Sequence, residues 1–192
     1  MTTVVVIGSG IAGLTAARHA AAAGARVVLA TKAALAESNT RYAQGGIAGV
    51  LSPADSTADH IRDTLAAGAG LSDPVAVEVL VEEGPDRIRD LIRDGVRFDT
   101  AADGTLLTGL EGAHSFPRIL HAGGDATGAE IERALVSGIR STGAVIHEHA
   151  FLVDLVVEQG RVVGVQLLES RSDEPVTVSA DAVILATGGA GR

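Results

Sequence analysis

The opening segment TVVVIGSGIAG, residues 3–13, constrains the fold more than any other part of the chain. A continuous β-branched run suits a strand buried on both faces of a parallel sheet. It leads straight into Gly8, Gly10 and Gly13, spaced G-x-G-x-x-G, and then into an Ala-rich helical pattern from Ile11 to Ala23 that Gly24 closes. RVVLA, residues 26–30, reads as a second strand. Thirty residues therefore specify β-α-β and an α/β class with a parallel sheet. In that setting Gly8 permits the tight turn, Gly10 lets backbone approach a pyrophosphate, and Gly13 permits close helix–strand packing. The helix N-terminus adds free N–H groups and a positive dipole end.

Farther along, residues 31–56 show no periodicity and are predicted to form a long loop, of a length that is usually functional or disordered. Asp73 before Pro74 is an N-cap signal for a helix that Gly84-Pro85 is expected to interrupt. A second helix, Asp86 to Asp94, would place Ile88, Leu91 and Ile92 on one face and stop at Gly95. Residues 108–125 are irregular, and Thr127 with Glu130 forms a T-x-x-E capping-box pattern for a helix to about Ser141. After Gly143 the period becomes two: VIHEH, FLVDLVVE, RVVGVQLLE and VTVSA read as strands, with Gln159-Gly160 as a hairpin turn and a small antiparallel β-meander as the result. DAVILATGGAGR is predicted to be one more buried strand, running into glycines.

Composition narrows the function classes. A chain of 192 residues suits one domain, 1–192. No apolar run reaches membrane-spanning length and the first residues lack a signal-peptide pattern, so a cytoplasmic location without membrane contact is expected. There is no cysteine, which excludes a disulfide, a thiolate nucleophile or an iron–sulfur cluster held by this chain. Redox chemistry would have to come from an organic cofactor. A net charge of -9 with no basic stripe argues against nucleic acid. No His, Asp or Glu spacing resembles a metal site, and Ser115 lacks a G-x-S-x-G context.

One element of a generic dinucleotide fingerprint is missing. The ribose-binding acid expected about 20 residues after the glycines is replaced by Ala30-Thr31-Lys32, which leaves a ribose contact through Thr31 or Lys32, or a family with its own solution.

Five blocks carry a resemblance: VVVIGSGIAGLTAA, SNTRYAQGGIAGV, DTLAAGAGLSD, LEGAHSFPRILHAGGDATGAEI and AVILATGGAG. Together they resemble the FAD-binding part of the L-aspartate oxidase family, within the succinate dehydrogenase and fumarate reductase flavoproteins. The resemblance implies a Rossmann-like FAD-binding fold, truncated before the capping domain, and a hydroxyl residue with Lys where the acid is missing. It implies that Ser9, Gly10, Ile11, Ala12 and Lys32 meet one end of FAD. Ser38, Asn39, Thr40, Arg41, Tyr42, Ala43, Gln44, Gly45 and Gly46 are also implied contacts, the stretch from Asn39 onward wrapping the pyrophosphate and passing along the isoalloxazine ring. Phe151 and Leu152 would contact the adenine side, with core packing as an equally good account, and Ala186, Thr187, Gly188 and Gly189 would close over the cofactor.

Asn39 stands where succinate dehydrogenases and many fumarate reductases carry the His that bonds FAD covalently; an amide cannot form that bond, so noncovalent FAD is expected. Glu111 matches a glutamate near the substrate amino group, a solvated loop residue being the plainer alternative. His114, Arg118 and His121 share its loop and could offset a dicarboxylate's charge, with no role assigned to any of them. By the same resemblance the enzyme oxidises L-aspartate to iminoaspartate by hydride transfer from Cα to flavin. Oxygen or fumarate accepts the electrons, and quinolinate synthase uses the product for NAD biosynthesis. The family's capping domain, C-terminal helical domain and substrate-carboxylate ligands correspond to positions beyond Arg192, which implies an N-terminal portion with little activity alone. A fumarate reductase or succinate dehydrogenase flavoprotein, and a non-catalytic FAD-binding module, are the alternatives.

Overall fold

The computed structural model describes residues 1–170 and 172–189. In chain order its elements are β1 Thr3–Ile7, α1 Ile11–Ala22, β2 Arg26–Ala30, β3 Ile47–Ala48, α2 Thr57–Ala67, α3 Pro74–Arg93, β4 Thr108–Gly109 and β5 Ile119–Leu120. There follow α4 Thr127–Arg140, β6 Val145–His147, β7 Ala150–Glu158, β8 Arg161–Glu169, β9 Val176–Ser179 and β10 Ala182–Leu185. The α/β expectation holds, and the chain forms two compact units: Met1–Tyr42 with the chain from Ile131 onward, and Ala43–Glu130.

The first unit holds a parallel sheet in the order β10-β1-β2-β6 and an antiparallel meander β7-β8-β9. Alternation explains how they join. Val5 and Ile7 of β1 and Val28 and Ala30 of β2 point to one face, where they pack with Ala150, Val165 and Leu167 of the meander. Val4, Val6, Val27 and Leu29 are buried on the other face, and α1 packs against β1 and β2. Each fully buried Val or Leu contributes about 1.5–3 kcal/mol. Gln159 and Gly160 both have positive φ, 50° and 77°, the geometry of a type I′ hairpin turn between β7 and β8.

Several expectations are corrected. β6, the VIH of VIHEH, pairs in parallel with β2 and not with the meander. β10 is mostly exposed, Leu185 at 55%, because among the described residues it pairs only with β1 and borders the sheet. Ala190, Gly191 and Arg192 of the same motif lie outside the described residues. Thr127 does not precede α4 but begins it. The Ala126 carbonyl takes the Glu130 N–H, Thr127 Oγ1 accepts from the Ala122 N–H at 3.1 Å, and a Glu130 carboxylate oxygen accepts from the Arg97 N–H at 2.8 Å.

The second unit contains β3-β5-β4, antiparallel, with α2 and α3. α2 has a regular start, the Ser56 side chain accepting from the Asp59 N–H. Its buried residues are His60 and Asp63, so hydrophobic periodicity does not announce it. Asp73 caps α3 through the Val75 and Ala76 N–H groups, with Pro74 in the first turn, as the sequence indicates. The helix then runs through Gly84-Pro85 without a break, because Val77, Val81, Ile88 and Leu91 form one buried stripe across that point; Ile92 lies off it, 38% exposed. Pro85 lacks the N–H that an interior helical residue gives to the carbonyl four positions back. Pro85→Ala is therefore expected to raise the denaturant midpoint, by about 1–3 kcal/mol of stability; a lowered midpoint would show that the proline shapes the helix.

Candidate functional site

The glycines that open α1 differ in what the fold demands of them. Gly8 has φ +114°, and a Cβ there would stand 2.2 Å from the Ala186 carbonyl oxygen. A Cβ on Gly13 would stand 1.9 Å from the Gly8 oxygen. Both are fixed by close backbone approach. Gly10 has φ −72° and ψ 178°, ordinary extended backbone, and among the described residues a Cβ there would come no closer than 3.4 Å to any neighbour, Thr40 Oγ1. Protein packing does not require this glycine. What a side chain would fill is the approach to the α1 N-terminus, which carries no acidic residue in its first turn and no side-chain cap from Gly10. Free N–H groups and the dipole of a helix N-terminus favour an anion at such a place.

The segment Ser38-Asn39-Thr40 comes to this turn. Ile11 N–H donates to Thr40 Oγ1 at 2.9 Å, and the Ser38 side chain lies 4.0 Å from the position a Gly10 Cβ would take. Asn39–Tyr42 is one turn of 3-10 helix, with Asn39, Arg41 and Tyr42 exposed and the Tyr42 hydroxyl donating to Glu37. Ser9 and Thr31 are buried, their hydroxyls 3.1 Å apart. The Thr31 hydroxyl thus ties β2 to the glycine turn, whereas Lys32 beside it is exposed.

β7 begins next to this place, the Ala150 N–H donating to the Thr31 carbonyl. Leu152 packs on the core, while Phe151 is 60% exposed and core packing does not account for it. Ala186 N–H donates to the Ile7 carbonyl, which brings Ala186 onto the glycine turn. Thr187, Gly188 and Gly189 follow exposed, Gly188 with φ +76°.

In the second unit Ala43, Gln44, Gly45 and Gly46 are exposed. A Cβ on Gly46 would meet Ile119 Cγ2 at 2.3 Å, the Leu120 oxygen at 2.4 Å and His121 Nε2 at 3.0 Å; one on Gly45 would meet nothing within 4 Å among the described residues. His121 Nε2 is 2.9 Å from Glu111 Oε1, and a Cβ on Gly109 would lie 3.4 Å from the same imidazole. The fold therefore gathers Gly46, Gly109, Glu111 and His121. Sequence reasoning left His121 without a role; its place directly after the buried pair Ile119-Leu120 of β5 was the available signal.

Arg118 is not free to offset a substrate's charge. It is 1% exposed; Nε and Nη2 donate to the two Asp55 carboxylate oxygens at 2.8 and 2.7 Å, and Nη1 donates to Asp63 Oδ2 at 2.7 Å. Ser115 adds its N–H and hydroxyl to the same Asp63 oxygen, at 2.8 and 2.7 Å. His114 Nδ1 lies 3.0 Å from Nη1, and the His60 ring meets the His114 ring edge-on at 5.2 Å. Burial, then the Arg118 charge, lowers the His60 pKa, which favours a neutral imidazole. This cluster is an internal brace.

The family model for the FAD binding domain matches residues 3–192. L-aspartate oxidase of Streptomyces coelicolor is 51% identical over 98% of this chain and 33% of its own length. The chloroplastic L-aspartate oxidase of Arabidopsis thaliana is 45% identical over 97% of the chain and 29% of its own. Among solved structures, Sdh1 of Mycobacterium smegmatis superposes with a TM-score of 0.90 at 32% identity over 98% of this chain and 34% of its own. The E. coli quinol fumarate reductase subunit FrdA gives 0.89 at 30% identity, over 100% and 34%. The chain spans about a third of the length of these curated relatives.

Proposed function

The chain belongs to the FAD binding domain family of the succinate dehydrogenase and fumarate reductase flavoproteins, with FAD as its cofactor, and from that premise we propose that it serves an L-aspartate oxidase. The observation that carries the substrate choice is Glu111. Its carboxylate is half exposed and held by His121, whose Nε2 also stands 3.0 Å from where a Cβ would lie on Gly46, the glycine expected beside the flavin ring. A carboxylate pairs with the α-ammonium of aspartate and repels a dicarboxylate that lacks an amine. Bound FAD supplies the two-electron acceptor for oxidation at Cα.

The residues themselves bind and orient. Gly10 and the α1 N-terminus receive the diphosphate, and Ser38, Asn39, Thr40 and Arg41 lie around it, while exposed Lys32 meets FAD at the end away from the flavin ring. Ser9 and Thr31, buried with their hydroxyls 3.1 Å apart, hold the glycine turn against β2. Phe151 offers an apolar face to the adenine, and Thr187, Gly188 and Gly189 cover the near side. Gln44 and Gly45 present backbone and amide groups along the ring. Asn39 leaves FAD noncovalent. Electrons leave to oxygen or fumarate, and iminoaspartate passes to quinolinate synthase in NAD biosynthesis.

Steady-state kinetics test the substrate. In a polypeptide of the relatives' length carrying this segment, L-aspartate should turn over well above succinate. Glu111→Gln should lower kcat/KM for L-aspartate about 100-fold, about 2.7 kcal/mol of transition-state stabilisation. Preferred turnover of succinate, or an unaltered Glu111→Gln variant, would favour the fumarate reductase and succinate dehydrogenase reading, which the solved structures at 30–32% identity suggest. Flavin bound with no turnover of either acid would leave a non-catalytic module.

A further inference from the structure

Glu132 on α4 is 1% exposed, and nothing in the proposed function uses it. Its Oε2 accepts a hydrogen bond from Ser38 Oγ at 3.0 Å, while Oε1 has no hydrogen-bond partner among the described residues. Burial pushes its carboxyl up to about 7, against the Ser38 bond and the Arg41 charge; Glu37 adds to the rise. The same Ser38 side chain stands 4.0 Å from the position of a Gly10 Cβ, and Thr40, two residues on, takes the Ile11 N–H. The Glu132 carboxyl is therefore one hydrogen bond behind the turn that receives the diphosphate.

Phosphate charges arriving at that turn act on Glu132 through a short stretch of protein, and a nearby like charge disfavours an ionised carboxyl. The neutral acid keeps an oxygen for the Ser38 hydroxyl and gains at its other oxygen a donor, where the ionised form has only acceptors. We infer that Glu132 serves the cofactor site as a neutral carboxylic acid, so that capture of FAD is coupled to uptake of up to one proton from solvent by Glu132. The inference rests on the reading that Gly10 and the α1 N-terminus hold the diphosphate. Arg41 and Glu37, the other charged groups acting on the carboxyl, stay in place in the variant that tests it.

Isothermal titration of the chain with FAD, in buffers of differing ionisation enthalpy, counts the protons taken up. The wild type should take up a fraction that grows above about pH 7, and its Kd should rise with pH by up to tenfold per unit. Glu132→Gln, which offers Ser38 an oxygen and cannot ionise, should take up none at that site and show a flat Kd. Equal uptake by the two proteins, or a flat wild-type Kd, overturns the inference. Infrared difference spectra of the wild type at about pH 8 should show a protonated-carboxyl band appearing with FAD; its absence overturns the inference without any variant. FAD affinity unchanged in Gly10→Ala would instead remove the diphosphate reading on which the inference stands.

Discussion

Arg118→Met is expected to cost the Ala43–Glu130 unit about 3–5 kcal/mol, read as a fall in the denaturant midpoint at neutral pH. The guanidinium spends three donors on two carboxylates that are themselves nearly inaccessible, Asp55 at 1% and Asp63 at 9% side-chain exposure. Met fills the volume and removes the charge, so both carboxylates stay buried with fewer partners. Ser115 continues to serve Asp63, and Asp55 keeps the Ser56 N–H. Arg118→Lys should recover only part of the loss, because one ammonium cannot reproduce a planar fork aimed at two acids.

The pH dependence gives this prediction a sign. The Arg118 bond is the first cause lowering both carboxyl pKa values, with Ser115 next for Asp63 and burial opposing for Asp55. A carboxylate depressed in the folded state contributes stability above its unfolded pKa, about 3.9, and loses it as pH falls through the folded value. The wild type should lose this contribution only in strong acid. Arg118→Met should behave in the opposite sense, gaining stability as mild acid neutralises the stranded carboxyls. A loss below about 1 kcal/mol at neutral pH would mean that the brace carries little.

The second large effect separates the glycines of the first turn. Gly8→Ala meets both a positive φ and a backbone oxygen at 2.2 Å, and Gly13→Ala meets one at 1.9 Å. Strain and overpacking each cost about 1–3 kcal/mol, more where backbone must move. Both variants should be strongly destabilised and fail to hold FAD. Gly10→Ala should keep its apo stability to within about 1 kcal/mol and yet lose at least about tenfold in FAD affinity, since on the proposed reading its Cβ fills the approach to the α1 N-terminus. Urea unfolding of the apo chains beside flavin fluorescence titrations distinguishes the cases. A Gly10→Ala variant that unfolds, or that binds FAD normally, would contradict the assignment.

The sequence by itself determined the features whose causes lie within a few residues. β1, the glycine turn and α1 follow from a β-branched run and the need for close backbone approach, and Gln159-Gly160 follows from the sign of φ. Asp73-Pro74 follows from unsatisfied N–H groups at a helix start. Where the cause is tertiary the sequence was silent or misleading. α2 buries His60 and Asp63, and that burial has no apolar periodicity to read. α3 survives its Gly84-Pro85 because a shared buried stripe outweighs a local break. Arg118 was a loop charge without an assigned role until the fold placed it against Asp55 and Asp63, 63 and 55 residues away. Glu132 carried no signal in the sequence until Ser38, 94 residues earlier, met it in the fold. Backbone geometry and capping are local energies, written in neighbouring residues. Which charges share a desolvated volume is set only when distant segments pack, and the tertiary structure decided that part of the site.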